Sequence, residues 1–377
     1  MPYYYHLHRK IRNQEERIRA AANLIALREQ LDRSVPSKDA EDNLLLATWN
    51  IRDFGKPLNQ RRGWGPRLPE TWFYIAEVIS RFDFVAVQEV NQLTEWQHVM
   101  DILGSEWRFI ATDETDRALG GNGERMAFAY DTRKVRFQSI AGEIVLPPSF
   151  LISKAEIKVK GKKVIAGNQF RRTPFIASFQ SGWLKFDICT VHLYYGSESG
   201  EELEERIEEI ERIATYLSQR ADRALGKDRA LFVLGDFNIV SPEHRTMKAL
   251  TDNGFVVPKV LQENPTTCTG QHYDQIGFKT RPELVSYVES RSQDPLRCNA
   301  GTVPIFEKIF TNRQFDQYSY VVKKQTTAGK KAKTRAELKK VYRDWRTYQF
   351  SDHYPMWVRL VTDGSAPYLE RIAKQQD

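Results

Sequence analysis

Short apolar runs recur along the whole chain: LLLATW (44–49), DFVAV (83–87), MAFAY (126–130), PFIASF (174–179), FDICTV (186–191), ALFVLG (230–235), YDQIGF (273–278), YSYVV (318–322) and MWVRL (356–360). Each is rich in β-branched and aromatic residues, the pattern of buried strands. The period changes in SESGEELEERIEEIERIATYLSQRAD. There Leu203, Ile207, Ile210, Ile213 and Leu217 recur every three or four positions behind an acidic first turn, which predicts a helix. TWFYIAEVIS (71–80) predicts a shorter helix before strand 83–87. Residues 10–33 predict a first helix, with Ile11, Ile18, Ala21, Leu24, Ile25, Leu27 and Leu31 at roughly helical spacing. It either packs on the domain as an extra layer or joins a partner. SVPSKDAED (34–42) reads as a polar linker, dividing an N-terminal extension and linker (1–42) from a main domain (43–377). Strand-rich runs with interspersed helices and no internal repeat predict one α/β sandwich.

Composition narrows the class. With 377 residues, 41% of them hydrophobic, the chain can bury a sizeable core. It has no apolar run long enough to span a bilayer, and MPYYYHLHRKIRNQEE lacks the apolar stretch of a secretory signal. Cys189, Cys268 and Cys298 cannot all pair, and none has metal-ligand spacing. Cys189, inside FDICTV, reads as a buried free thiol, and the expectation is a reducing, cytoplasmic setting. Net charge is +7, from 56 Lys and Arg against 49 Asp and Glu. The excess concentrates in 323–346, KKQTTAGKKAKTRAELKKVYRDWR, either a polyanion-binding segment with interleaved aromatics or a solvated loop leading into a short helix.

The chemistry lies at the ends of the apolar runs. Asn50 follows LLLATW, Glu89 follows DFVAVQ, His192 follows FDICTV, and Asp236 with Asn238 follows LFVLG. Asp274 opens DQIGF, and Asp352 with His353 precedes MWVRL. Each alone has a dull explanation as a cap, turn or core hydrogen bond. Together they would gather on one rim of a folded sheet. Carboxylates with Asn offer hard oxygen ligands for magnesium or manganese, with calcium also compatible. Two histidines beside carboxylates supply a general base and a general acid. That set describes phosphate-ester hydrolysis by water. A glycosidase has no need of the histidines, and a serine hydrolase would show G-x-S-x-G, which does not occur.

TWNIRDFG, VQEV, RRTPF, TVHL, LGDFN, YDQIG and SDHYP, in this order across roughly residues 44–361, resemble the endonuclease/exonuclease/phosphatase superfamily. Within it the NIRxFG start, RxPF and YDQI are most similar to the pancreatic-type deoxyribonucleases. The resemblance implies a four-layered α/β sandwich, two packed β-sheets flanked by helices. It also implies a divalent-metal-dependent endonuclease that cuts DNA phosphodiesters with little sequence preference. Carried over residue by residue, it makes Glu89 the principal metal ligand, helped by Asn50 and Asp352. His192 and His353 become the acid–base pair, oriented by Glu124 and Asp274. Asp236 and Asn238 would hold the metal, the water or the scissile phosphate. Arg172 and Asn168 would bind a phosphate oxygen, and Arg52 the nucleic-acid backbone. The expected partner is nucleic acid, DNA before RNA, with no protein partner evident.

Two departures bear on substrate. Asn91 stands where these nucleases carry a groove-entering Arg, and GGNGE lacks their sugar-stacking Tyr. An enlarged stretch near 280–346 is expected to touch substrate instead, with Tyr342, Trp345 or Tyr348 stacking on bases. The alternative on the same fold is a phosphomonoesterase or phospholipid phosphodiesterase. A lipid enzyme should expose an apolar hairpin, for which PPSFLI (147–152) is the candidate.

Overall fold

The computed structural model describes residues 2–38, 42–115, 123–159, 162–281, 284–290, 294 and 297–374. The strands are β1 (Asn43–Phe54), β2 (Phe84–Val90), β3 (Trp107–Ala111), β4 (Arg125–Asp131), β5 (Arg136–Glu143), β6 (Ile152–Val159), β7 (Lys162–Asn168), β8 (Phe175–Ser181), β9 (Leu184–His192), β10 (Ala230–Asp236), β11 (Asp274–Lys279), β12 (Ala300–Thr302) and β13 (Met356–Val361). The helices are α1 (Leu7–Lys10), α2 (Gln14–Ser34), α3 (Pro69–Ile79), α4 (Leu93–Leu103), α5 (Glu201–Leu225), α6 (Arg245–Thr251), α7 (Lys259–Glu263), α8 (Phe315–Gln325), α9 (Thr327–Lys331), α10 (Arg335–Gln349) and α11 (Ser365–Lys374).

Two mixed sheets form the centre. One has the order β12-β13-β1-β2-β4-β3, the other β11-β10-β9-β8-β5. In each, one central pair is parallel, β1 with β2 and β9 with β10. Alternate residues of the central strands pack between the sheets. Leu46, Phe84, Phe128, Phe179, Phe186, Phe232 and Val358 share one apolar cluster there. The opposite faces of the same strands take helices. Ile210, Ile213 and Leu217 of α5 cover Leu231 and Val233 of β10. On the other side α2, α3, α4, α8 and α10 cover β1 and β2. Helix, sheet, sheet, helix is the expected four-layered sandwich.

The first helix is part of the outer layer. Leu24, Leu27 and Leu31 enter the cluster that holds Trp49 and Phe73, and Asn23 Nδ2 donates to both Tyr74 Oη and Tyr318 Oη at 3.0 Å. Ile18 and Ile25, grouped above with these residues, instead face solvent, each 61% exposed.

The run YSYVV, expected as a strand, is helical and forms the middle of α8. Its β-branched and aromatic composition is outweighed by periodicity, because Phe315, Tyr318 and Val322 all fall on one buried face. The aromatics of α10 also depart from expectation. Tyr342 and Trp345 are buried in the core beside Phe310 and Tyr318, so they cannot stack on bases. Their spacing of three residues puts both on the apolar face of an amphipathic helix, and the charged residues between them face outward. Replacing Trp345 with Ala is expected to destabilise the protein by about 3–5 kcal/mol, read as a lower denaturant midpoint. Among the described residues no helix is long and apolar enough to cross a membrane.

Candidate active site

Three adjacent strand ends bring three of the expected residues into one row. In the second sheet Asp236 of β10 is registered against His192 of β9 and against Asp274 of β11. Neighbours in register point to the same face, so these side chains converge. The approach of the strands needs glycine just before Asp236. Gly235 has φ +130°, and a Cβ there would lie 2.1 Å from the Val191 carbonyl oxygen. Gly235→Ala is therefore expected to give misfolded or strongly destabilised protein, measurable as a collapse in soluble yield and melting temperature.

The first sheet supplies the facing residues through a break in its ladder. The pairing of β1 with β2 slips between Asn50 and Phe54. At this break Arg52, Asp53 and Glu89 adopt φ of +43°, +48° and +63°. With Asn238 at +53°, they make four of the eight described non-glycine residues in that region, which concentrates backbone strain at one rim. The strained turn is held internally: Asp53 N donates to Glu89 Oε2 at 2.7 Å, and Arg52 N to Asn50 Oδ1 at 2.9 Å. Just beneath, Gln88 Nε2 donates to Thr48 Oγ1 at 3.0 Å and Thr190 Oγ1 at 2.8 Å, tying the two sheets together.

Two imidazole–carboxylate pairs face one another across Asp236. His192 Nδ1 lies 2.6 Å from Glu124 Oε1, and His353 Nδ1 lies 2.7 Å from Asp274 Oδ2. Each ring turns its Nε2 toward the same atom, Asp236 Oδ2, at 3.6 Å from His192 and 3.8 Å from His353. Asn50 Nδ2 donates to that oxygen at 3.1 Å and to Glu89 Oε1 at 2.9 Å. Asp236 Oδ1 accepts from Asn238 N at 3.0 Å, and Asn238 Nδ2 donates to Leu193 O at 2.9 Å.

The electrostatics follow from burial and pairing. Burial pulls His353 down, but Asp274 and Asp236 outweigh it and hold the imidazole well above its ordinary value. For His192, burial and Arg172 lower the value, and Glu124 with Asp236 raises it further than they lower it. Burial raises Glu124, yet His192 and Arg172 bring it below the ordinary carboxylate range. Asp352 is pushed up by burial, with Glu89 adding to the rise against Arg52.

The remaining expected residues fall as follows. Arg172 places its Nε 2.5 Å from Glu124 Oε1 and donates to Leu193 O at 3.3 Å, so it braces the Glu124–His192 pair. Arg52 pairs with Asp352 at 2.6 Å, donates to Thr347 Oγ1 at 2.6 Å and lies 3.9 Å from the Tyr348 ring centroid. Asn168 closes β7, and its side chain lies outside the described residues. Asn91 is buried, and its Nδ2 donates to Gly123 O at 3.2 Å, beside Glu124. The segment before it that holds most of GGNGE lies outside the described residues.

The donor set fits a hard divalent cation. Glu89, Asp236 and Asp352 bring carboxylate oxygens to the rim, and among the described residues the buried Oδ1 atoms of Asp352 and Asp274 have no hydrogen-bond partner within bonding geometry. Asp236, Asp274 and His353 also place potential ligand atoms within 4.8 Å of one another.

The rim thus gathers carboxylates beside two imidazole–carboxylate pairs. The chain is similar to a deoxyribonuclease. The relative, "Deoxyribonuclease" of Thioalkalivibrio sp. (strain K90mix), is 30% identical over 218 residues, 56% of this chain. That match spans about half the length of the relative (50%). No family model matches the chain. Solved structures of similar chain path include the endonuclease/exonuclease/phosphatase from Bacteroides vulgatus (16% identity, TM-score 0.47, 85% of this chain and 99% of that one). Another is D. rerio TDP2 complexed with single strand DNA product (11% identity, TM-score 0.48, 85% and 99%). A third is the human Nocturnin catalytic domain (13% identity, TM-score 0.46, 86% and 96%).

Two arginines absent from the expected set hold the loops of this rim from behind. Arg67 Nη1 donates to Gln349 O and Phe350 O at 2.9 and 3.0 Å, and its Nη2 to Ile51 O at 2.6 Å. It thus staples the turn after Asn50 to the segment before Asp352. Arg206 Nη1 donates to Asn238 O at 2.8 Å, and its Nη2 bonds Tyr195 O and Ser197 O. That joins the loops after His192 and Asp236. Ser351 completes the frame, donating to Asn50 O at 2.6 Å and accepting from His353 N at 2.9 Å. One signal was available for Arg206: in LEERIEE it falls beside Ile207 on the apolar face of α5, where a charge needs a buried partner.

Proposed function

We propose that this chain is a divalent-metal-dependent phosphodiesterase, an endonuclease that hydrolyses DNA with little sequence preference. The observation that carries the reading is the pair of imidazoles, each backed by a carboxylate and both aimed at Asp236 Oδ2. In this reading Glu89, with Asn50 and Asp352, holds the cation, which when bound would neutralise charge on the phosphate and its leaving oxygen. Asp236 and Asn238 orient the attacking water. One of His192 and His353 takes the water's proton at Nε2, and the other delivers a proton to the departing deoxyribose oxygen. Glu124 and Asp274 keep both rings turned so that Nε2 faces the reaction. Arg172 steadies Glu124 and presents positive charge toward the phosphate.

The phospholipid alternative loses its structural support. Leu151 and Ile152 of PPSFLI are buried, and the Phe150 ring packs 5.7 Å from that of Tyr216. The test is cleavage of supercoiled plasmid with magnesium or manganese, beside a chelated control and His192→Ala. Metal-dependent nicking that the variant lacks supports the endonuclease. A folded protein that leaves the plasmid intact and hydrolyses phosphomonoesters contradicts it.

A further inference from the structure

Five lysines fall between 323 and 333, namely Lys323, Lys324, Lys330, Lys331 and Lys333, with no acidic residue among them. All five are exposed. Among the described residues none of their ammonium groups pairs with a carboxylate, although Lys333 N donates to Glu337 Oε2 at 2.7 Å; nearby Arg335 pairs with Asp316 at 2.7 Å. Like charges crowded without counter-ions repel one another, and an anionic partner relieves that repulsion.

The run is joined to the catalytic rim by a short series of contacts. Thr327 N donates to Gly63 O at 2.9 Å. Gly63 and Gly65, at φ +86° and +74°, lie so close to Thr327 and Gln325 that a Cβ on Gly63 would meet Thr327 Oγ1 at 2.4 Å. Trp64, between the glycines, stacks on Tyr348 at 4.7 Å. Arg52 lies against the same Tyr348 ring at 3.9 Å and pairs with Asp352. The exposed Arg62 adds a cation beside this junction.

We propose that the α8–α9 lysine run is a docking track for the sugar–phosphate backbone of the DNA strand where it leaves the rim. The proposal rests on the reading of the substrate as nucleic acid. The track takes phosphates through its lysines: Tyr342 and Trp345 are buried and Tyr348 packs against Trp64 and Arg52, while Tyr320, 72% exposed beside Lys324, is an aromatic that a base could reach. Binding through it is independent of sequence and strongly salt-dependent.

The test measures binding of fluorescein-labelled single-stranded DNA to the full chain in chelator, so that nothing is cut. Lys330→Glu/Lys331→Glu is expected to weaken binding at least about tenfold and to flatten the dependence of log Kd on log salt by roughly 0.7 per lost contact. Lys227→Glu, in the turn after α5, should leave binding unchanged. Hydrolysis of bis(p-nitrophenyl) phosphate, too small to reach the track, should be the same in all three proteins. Lys330→Gln/Lys331→Gln should show a smaller loss in the same direction, which guards against a folding defect in the reversal variant. Equal affinity in wild type and reversal variant, or an equal loss in Lys227→Glu, overturns the proposal. Wild type that binds DNA through these lysines but cuts none would support the track and remove the hydrolase reading. Cutting with no loss of affinity in the variant would do the reverse.

Discussion

Replacing His353 with Ala is expected to slow phosphodiester cleavage by about 10²–10⁴-fold while metal binding and fold persist. The ring makes one strong contact, Nδ1 to Asp274 Oδ2 at 2.7 Å, and its Nε2 faces the rim. That geometry fits a group that moves a proton. Single-turnover rates should show the loss in the chemical step, with substrate affinity nearly unchanged. A second readout follows from linkage. The folded-state value of His353 lies above its ordinary value of about 6.5, because burial is outweighed by Asp274 and Asp236. Its contribution to stability is therefore fully present below about pH 6.5 and fades as pH rises through the folded value. In chelator, wild-type melting temperature should fall across that range, and His353→Gln should lack this component of the fall.

Asp236→Asn is expected to be at least as damaging, about 10³-fold or more in rate. The substitution is isosteric but reverses one end of the group. Asp236 Oδ1 accepts from Asn238 N at 3.0 Å, so the amide oxygen of the variant would take that side. Its NH₂ would then face Asn50 Nδ2 and both imidazole Nε2 atoms, where Oδ2 now sits at 3.1, 3.6 and 3.8 Å. Asn50 Nδ2 and the protonated Nε2 of the histidine that serves as acid would then face a donor in a buried site, at a cost of about 1–3 kcal/mol for each group left unsatisfied. Loss of the charge also removes a cause that raises both histidines. Histidine NMR titration in chelator should show both values lower in the variant.

The polar rim was legible because polar residues ending apolar runs are costly unless they meet something. Asn50, Glu89, His192, Asp236, Asp274 and His353 each close or open such a run. Strand pairing sets His192, Asp236 and Asp274 side by side, and side-chain contacts from Asn50 to Glu89 and Asp236 and from His353 to Asp274 close the group. What pairing does not reveal is the stapling of loops. Arg67 reaches Gln349 and Phe350, more than 280 positions away, through carbonyl oxygens that carry no side-chain signature. The backbone conformation of Glu89 was equally invisible, since its φ of +63° arises from a slip in the ladder and not from a glycine. The basic segment was misread in its aromatics. Tyr342 and Trp345 looked like stacking residues among lysines, but on a helix their spacing makes them core. The strand reading of YSYVV failed because the Tyr and Val residues satisfy both periods, and the capping box at Thr311 and Gln314 that starts the helical segment lies before the run.

The central claim is that these strand ends converge on a cation and a phosphate. The most direct measurement is anomalous diffraction from crystals grown with manganese. The account predicts one strong peak coordinated by Glu89, with Asn50 and Asp352 beside it, and with His192 and His353 outside the coordination sphere. A peak bound instead by Asp236, Asp274 and His353 would contradict it, because His353 would then be a ligand and could not carry the proton.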